Sequence, residues 1–96
     1  MSPQMQPLCI PATHQTAALH FPNLPIVPGA LLLDEIAARI AGAAPLRLRA
    51  VKFIGPIRHG EALALSWQAA GKLNSFALNR VGETAPLLTG TLEILA

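Results

Sequence analysis

Three evenly spaced prolines, Pro22, Pro25 and Pro28, constrain this chain more than any other feature of its sequence. Each proline fixes its φ angle at about −65° and lacks a backbone N–H, so the residues between them cannot form a helix or a central strand. Residues 21–27 are therefore predicted to form a stiff, extended loop. A helix can begin only after this loop, and Pro28 fits the first helical position.

The predicted helix runs from about Gly29 to Ala41, where Gly42 provides a stop and Pro45 prevents continuation. The residue directly before Pro28 is Val27 rather than Ser, Thr, Asp or Asn, so the first amides of the helix lack an obvious side-chain cap. Uncapped amides at the positive end of a helix dipole can donate to a carbonyl oxygen or an anion. Gly29 would let such a ligand approach the backbone closely.

Asp34 is the candidate functional carboxylate of this helix. At about 100° per residue, it falls on an apolar side of the helix wheel, whereas Glu35 and Arg39 lie on the other side as an i, i+4 ion pair. A carboxylic acid in an apolar setting is biased towards its neutral form, as a general acid near neutral pH requires. Glu35 is therefore interpreted as a surface residue. The residues assigned to the apolar side with Asp34 are Ala30, Leu33, Ala37, Ala38, Ile40 and Ala41.

The segment His20–Asp34 reads HFPNLPIVPGALLLD. It resembles the active-site segment of the hot-dog-fold 3-hydroxyacyl-(acyl-carrier-protein) dehydratases, in which a His and a Phe-Pro-Gly turn precede two further prolines, a Pro-Gly at the start of a central helix, and an acidic residue. Asn23 replaces the usual Gly and is the next best residue at positive φ. Asp34 is similar to the acid of the 3-hydroxydecanoyl dehydratase/isomerase branch, whereas the general dehydratases usually have Glu. The segment Val51–Glu61, VKFIGPIRHGE, also resembles the family's strand, proline turn and Gly-acidic bend.

The resemblance implies reversible loss of water from a 3-hydroxyacyl thioester, giving a trans-2-enoyl thioester with no metal or redox cofactor. The substrate would be carried on the phosphopantetheine of an acyl carrier protein. The resemblance implies His20 as the base, Asp34 as the acid and the Gly29 amide as the donor to the thioester carbonyl. In the family, the base and the acid come from opposite subunits, so a homodimer or a heterodimer with a related hot-dog subunit is expected. The residues that the resemblance assigns to substrate binding are Phe21, Pro28 and Ala30.

Two other functions remain open at this point. A hot-dog thioesterase would use a carboxylate to activate water against the same carbonyl, and it would not need His20 or the proline-rich loop. A non-catalytic subunit would bind acyl carrier protein or complete a heterodimer, and the short chain is similar to the small dehydratase-like subunits of aryl polyene and related polyketide-type clusters.

The rest of the sequence predicts strands. Four are expected after the helix, at 46–54, 62–70, 73–81 and 86–95, and a short one before it at about 8–10. Leu63, Leu65 and Trp67 alternate onto one face, and the first of the four strands changes phase near its end, which suits a bulge. These elements predict an α+β class and a single domain, residues 1–96. The expected fold is the hot-dog fold, an antiparallel sheet wrapped around one long central helix.

The composition of the chain favours some kinds of binding partner, such as other protein subunits, over membrane and nucleic acid. The chain has 96 residues, of which 52% are hydrophobic and only 12% are charged, a balance that suits a subunit of an assembly. Its longest apolar run, residues 24–33, is too short to span a membrane and contains two prolines, and no export signal begins the chain, so a cytoplasmic location is predicted. Four aromatic residues and no dense basic run argue against nucleic acid. A looser basic group fits solvated strand faces, although it could also favour an acidic protein partner; its members are Arg47, Arg49, Lys52 and Arg58.

Three further side chains have simple interpretations. Cys9 cannot form an intrachain disulfide, because the sequence has no second cysteine, and it is predicted to be a small core residue. His14 and His59 have no metal-ligand spacing around them and are predicted to be surface residues.

Overall fold

The structure, a computed structural model, describes residues 3–11 and 26–95. In these ranges the chain forms one α-helix and one antiparallel sheet with the strand order β1-β3-β4-β5-β2. The predictions for His14, His20 and Phe21, and for the loop up to residue 25, lie outside the described residues. The elements are β1 Gln4–Leu8, α1 Gly29–Ala41, β2 Leu46–Phe53, β3 Leu63–Ala70, β4 Leu73–Arg80 and β5 Pro86–Ile94.

The strands after α1 agree with the sequence pattern to within a residue or two. β3 buries Leu63, Leu65 and Trp67, as their alternation predicts. β2 contains a bulge, seen as a shift of its register against β5 between Leu48 and Ala50, but the bulge lies in the first half of the strand rather than near its end as predicted. Hydrophobic alternation locates these strands because one face of each strand packs against the core.

The first strand was predicted in the wrong place. β1 covers Gln4–Leu8 rather than residues 8–10, and it pairs with β3 from Gln4 opposite Trp67 to Leu8 opposite Leu63. Its glutamines give it no hydrophobic alternation, so pairing with β3, and not local pattern, determines its position. Pro7 is tolerated because β1 lies at an edge of the sheet, where a strand need not donate on both sides.

The observed bounds of α1 match the predicted ones, but the helix is not the long central helix that the expected fold implies. The helix ends before Gly42, which has a φ of +61° and whose amide donates to the Ala38 carbonyl at 2.9 Å. α1 has 13 residues and is about 20 Å long, so the expected long central helix is a single short one. None of the helical residues described forms a segment long and apolar enough to cross a membrane.

The face of α1 that packs against the sheet also differs from the prediction. Leu32 and Ile36 are the buried residues of the helix, and they join one core with strand residues such as Leu65 and Leu78. Asp34 lies about 200° around the helix from Leu32 and is exposed. The outer face of α1 is defined here by the residues that lie opposite Leu32 and Ile36: Ala30, Asp34, Ala37, Ala38 and Ala41.

Two single-residue predictions are wrong, and one is confirmed. Cys9 is exposed rather than part of the core. His59 is buried rather than solvated, because its turn packs against the N-terminal segment, where the Gly60 amide donates to the Ile10 carbonyl at 2.7 Å. Trp67 packs in the core, as predicted.

β2 forms the second edge of the sheet. Across the described ranges it pairs with β5 alone, so the hydrogen-bonding groups on its other side are open to a further strand. Leu48 and Phe53 are exposed on this strand. Arg47 and Arg49 approach the same carboxylate, that of Glu93, at 3.9 and 3.2 Å. The edge therefore combines exposed apolar side chains with two arginines that share one acidic partner.

Candidate active site at the start of the helix

The start of α1 has no side-chain cap. Pro28 is the N-cap residue, with φ −60° and ψ 140°, and its carbonyl accepts from the amides of Leu31 and Leu32 at 3.1 and 3.2 Å. Pro28 thus stands one residue before the helix, and Gly29 is the first helical residue. Over residues 3–11 and 26–95, no acceptor contacts the amides of Gly29 or Ala30. The helix therefore offers two donors at the positive end of its dipole.

Gly29 makes a close contact with an aromatic ring. A Cβ atom at this position would lie 2.8 Å from Cζ and 2.9 Å from Cε1 of Phe53, closer than carbon atoms can approach without movement. The Phe53 ring lies at the end of β2 and is 54% exposed. The ring and the first turn of α1 therefore form adjoining walls of one surface depression.

That depression is a groove of about 370 Å³ between the start of α1 and the end of β2. Its volume lies at the lower end of the range for small-molecule sites, which is about 300–1,000 Å³. Apolar side chains dominate its lining, with the backbone of Gly29 as one wall. The groove can thus hold an acyl or thioester group against apolar side chains and beside helix amides. The lining side chains include Ile26, Leu32, Phe53, Ile54 and Ile57.

The turn after β2 holds the start of α1 in place. The Val27 amide donates to the Ile57 carbonyl at 2.8 Å, and Ile26 forms an isolated bridge with Arg58. At its other end, the Ile54 amide donates to the Leu87 carbonyl at 2.8 Å, which ties the turn to β5. The position of Gly29 is therefore set by contacts with residues far along the chain.

An ion pair braces this turn. The Glu61 carboxylate accepts from the Arg58 amide at 2.6 Å and from Arg80 Nε at 2.5 Å, and Arg80 Nη2 donates to the Pro56 carbonyl at 3.2 Å. Partial burial alone would raise the pKa of Glu61, but the Arg58 amide and the Arg80 guanidinium outweigh it and hold that pKa below its ordinary value. Glu61 is therefore an anion at neutral pH.

The structure brings only part of the predicted site together. Gly29 lines the groove, and Pro28 precedes it as the N-cap. Ala30 and Asp34 lie on the outer face of α1, turned away from Leu32 and the groove. Asp34 is exposed, so the described residues do not give its carboxylate the predicted apolar setting. His20 and Phe21 lie outside the described residues.

Sequence reasoning missed Phe53 and Arg80. The contact between Phe53 and Gly29 joins residues that are remote in sequence, and no local pattern indicates it. Arg80 closes β4 and reaches Glu61 by a similarly long-range contact. Glu61 lies in the Gly-acidic bend that carried the family resemblance, so it had a signal in the sequence. Arg80, its partner in the ion pair, had no such signal.

Comparisons with known proteins give the fold. No family model and no curated protein sequence matches this chain. Among solved structures, the chain is similar to the dehydratase heterocomplex ApeI:P from Xenorhabdus doucetiae, with a TM-score of 0.80 and 22% identity over 98% of this chain and 88% of that one. It is also similar to an uncharacterized protein from Erwinia carotovora subsp. atroseptica, with a TM-score of 0.71 and 20% identity over 97% and 82% of the two chains.

A third similarity is to the fluoroacetyl-CoA thioesterase FlK, with a TM-score of 0.53 and 11% identity over 98% of this chain and 85% of that one. These structures are hot-dog proteins, and the five-stranded antiparallel sheet with one helix agrees with them. The chain therefore has a hot-dog fold. Identities this low establish the fold and leave the reaction to be argued from the site.

Proposed function

We propose that this chain is a hot-dog dehydratase that removes water from 3-hydroxyacyl thioesters carried on the phosphopantetheine of an acyl carrier protein. The observation that supports the proposal most is Gly29, whose backbone lines an apolar groove and whose amide lacks an acceptor within the described ranges. The HFP segment that begins at His20 adds the sequence motif of such enzymes.

The proposed chemistry needs three groups. The Gly29 amide donates to the thioester carbonyl and stabilises the negative charge that develops on it when the α proton leaves. His20 takes that proton, and Asp34 protonates the departing hydroxyl. Water and the trans-2-enoyl thioester are the products. A metal or redox cofactor has no role in these steps.

The position of Asp34 supports a site shared between two chains. Asp34 lies on the outer face of α1, and Gly29 lines the groove on another side, so one copy of α1 does not present both groups to a single substrate. We propose that the acid reaches the groove from a second hot-dog subunit, identical or related. Because this chain is similar to a dehydratase heterocomplex, a related hot-dog subunit is a candidate for the second subunit that supplies the acid.

Hydration of an enoyl thioester, the reverse reaction, tests the function directly. The purified chain is incubated with crotonyl-pantetheine and with longer enoyl-carrier-protein substrates, and loss of the conjugated thioester absorbance is followed. We expect 3-hydroxyacyl thioester to form at a rate proportional to the concentration of assembled protein. If no hydration occurs with any chain length under conditions where the protein is folded and assembled, the proposed enzyme function is wrong.

A thioesterase is the second candidate, because the fold is shared with the thioesterase FlK. Hydrolysis would release a free thiol, whereas hydration retains the thioester. Measuring thiol release with a chromogenic disulfide reagent in the same incubations separates the two reactions. A thiol signal without hydrated product would favour the thioesterase.

Replacing Gly29 by alanine should impair turnover. The added Cβ would meet the Phe53 ring at 2.8 Å, so the exposed ring or the first turn of the helix must shift, and we expect the turn to move enough to draw the Gly29 amide away from the thioester carbonyl. We expect a loss of kcat on the order of 10²-fold, as for removal of one oxyanion donor. The double variant Gly29→Ala with Phe53→Leu should recover part of the loss, because the smaller side chain makes room. Equal activity of Gly29→Ala and the parent would show that this contact does not matter for catalysis.

Assembly should depend on the open edge at β2. We expect the active species to be a dimer by analytical ultracentrifugation at assay concentration, with the Leu48→Lys variant weakening association by roughly tenfold or more because a charge enters an apolar contact. Val81→Lys is the matched control, since Val81 is also exposed but lies in the turn after β4. A stable monomer with full hydration activity would rule out a shared site.

A further inference from the structure

The peptide group between Ile57 and Arg58 has partners on both sides. Its carbonyl, from Ile57, accepts from the Val27 amide at 2.8 Å. Its amide, from Arg58, donates to Glu61 Oε1 at 2.6 Å. Because the carbonyl and the amide of a trans peptide point in opposite directions, fixing the amide on Glu61 aims the carbonyl at Val27.

Arg80 fixes the neighbouring peptide and the carboxylate together. Its Nε donates to Glu61 Oε2 at 2.5 Å, and its Nη2 donates to the Pro56 carbonyl at 3.2 Å. The two peptide groups that flank Ile57 are therefore both held by one ion pair. Hydrogen bonds in a chain of this kind polarise one another, so the carboxylate strengthens the bond that the same peptide makes to Val27.

Val27 stands directly before the N-cap Pro28, and Gly29 follows as the first residue of α1. Val27 and Ile57 are both buried, and both line the groove, so their hydrogen bond lies within its wall. Movement of the peptide between Ile57 and Arg58 would therefore shift the first amide of the helix relative to the Phe53 ring.

We propose that Glu61 is a positioning residue: with Arg80, it orients the peptide between Ile57 and Arg58 and thereby places the start of α1 beside the groove. Its part in catalysis rests on the proposed function, whereas its effect on the Val27 amide does not. Glu61 acts through the backbone and touches no substrate.

Hydrogen exchange at the Val27 amide tests this placement without any substrate. In Glu61→Ala, we expect Val27 to exchange faster on the order of tenfold relative to the Leu78 amide at the centre of the sheet, since a charged hydrogen bond that holds its acceptor is lost. Glu61→Gln keeps an oxygen for the Arg58 amide and should show a smaller change. Arg80→Lys keeps the charge but cannot reach both Glu61 and Pro56, so it should also loosen Val27.

Glu93→Gln is the matched control. It removes the carboxylate that Arg47 and Arg49 share, and neither of these ion pairs involves a residue of the turn. The exchange of Val27 should stay at the parental rate in this variant. Parental protection of Val27 in both Glu61→Ala and Arg80→Lys would overturn the proposal.

Kinetics and pH supply two further readouts. In Glu61→Ala, kcat for hydration should fall roughly tenfold with KM changed less. A displaced Gly29 amide donates less well to the carbonyl oxygen, and this hydrogen bond matters most in the transition state, where the oxygen carries the most negative charge. Since the pKa of Glu61 is lowered in the folded protein, its stabilising effect is present above the ordinary pKa of 4.5 and is lost as the pH falls through the lowered value. The stability difference between the parent and Glu61→Gln should therefore shrink below about pH 4.5.

The outcomes for the positioning role and for the proposed function are distinguishable. A parent that hydrates no enoyl thioester, together with faster exchange at Val27 in Glu61→Ala, would reject the dehydratase and retain the placement of the helix by Glu61. An active parent whose Glu61→Ala variant exchanges faster at Val27 but keeps its kcat would overturn the positioning role in catalysis.

Discussion

Replacing His20 by alanine is expected to lower enoyl-thioester hydration by roughly 10²-fold or more, the loss typical of a missing general base. The imidazole is the group proposed to exchange a proton with the α carbon, and no second histidine occurs in the motif segment that runs to Asp34. Steady-state kinetics on crotonyl-pantetheine measure the loss, and circular dichroism verifies that the variant folds.

His14→Ala is the matched control for this experiment, since His14 carries no assigned role and precedes the motif. It should retain parental kcat and KM. If His20→Ala retains turnover within about tenfold of the parent, the loss is too small for a general base and the assignment of His20 is wrong.

The second large effect is expected at Asp34. Asp34→Asn keeps the size of the side chain and some hydrogen bonding but removes the transferable proton. We therefore expect kcat to fall by about 10²-fold or more while KM changes little. If the acid acts on a substrate held by a second subunit, mixing Asp34→Asn with His20→Ala should restore part of the activity, because one of the two sites in a mixed dimer then has both groups intact.

Glu35→Gln is the control for Asp34→Asn, because it neutralises the adjacent carboxylate. Glu35 contacts Arg39 at 3.8 Å, and both side chains are partly exposed. Loss of this pair should cost only about 0.3–0.5 kcal/mol of stability, measured by thermal unfolding, with no effect on kcat. An active Asp34→Asn together with an inactive Glu35→Gln would mean that the wrong carboxylate has been assigned.

The sequence predicted the ends of α1 better than its orientation. Pro28 and Gly42 mark its bounds by backbone chemistry that does not depend on the rest of the chain. The side that faces the sheet depends on tertiary packing, and the helix has apolar residues on nearly every side. Leu32 and Ile36 are buried, although the wheel had favoured Leu33 and Ile40 with the alanines. Local periodicity could not choose between these two apolar stripes.

The groove itself was less accessible to sequence reasoning. The uncapped helix start follows from the order Val27, Pro28, Gly29, and the structure confirms it. The role of Gly29 as a donor to a substrate stays a prediction. The partners of Gly29 are supplied by β2 and by the turn after it. Neither the Phe53 ring nor the support from Arg80 has a local signal, because each contact joins segments that only the folded sheet brings together.

The strand order has a consequence for how this protein emerges from the ribosome. β2 follows the helix directly, yet within the described residues its only strand partner is β5, the last of the five strands in chain order. The turn that supports Gly29 likewise gains its hydrogen bonds from Arg80 only after the end of β4 has been synthesised. The helix can form early from local contacts, whereas closure of the sheet is non-local and comes late. A nascent chain that stops before β5 would therefore carry the whole His20–Asp34 motif while the turn that supports Gly29 still lacks its hydrogen bonds to Leu87.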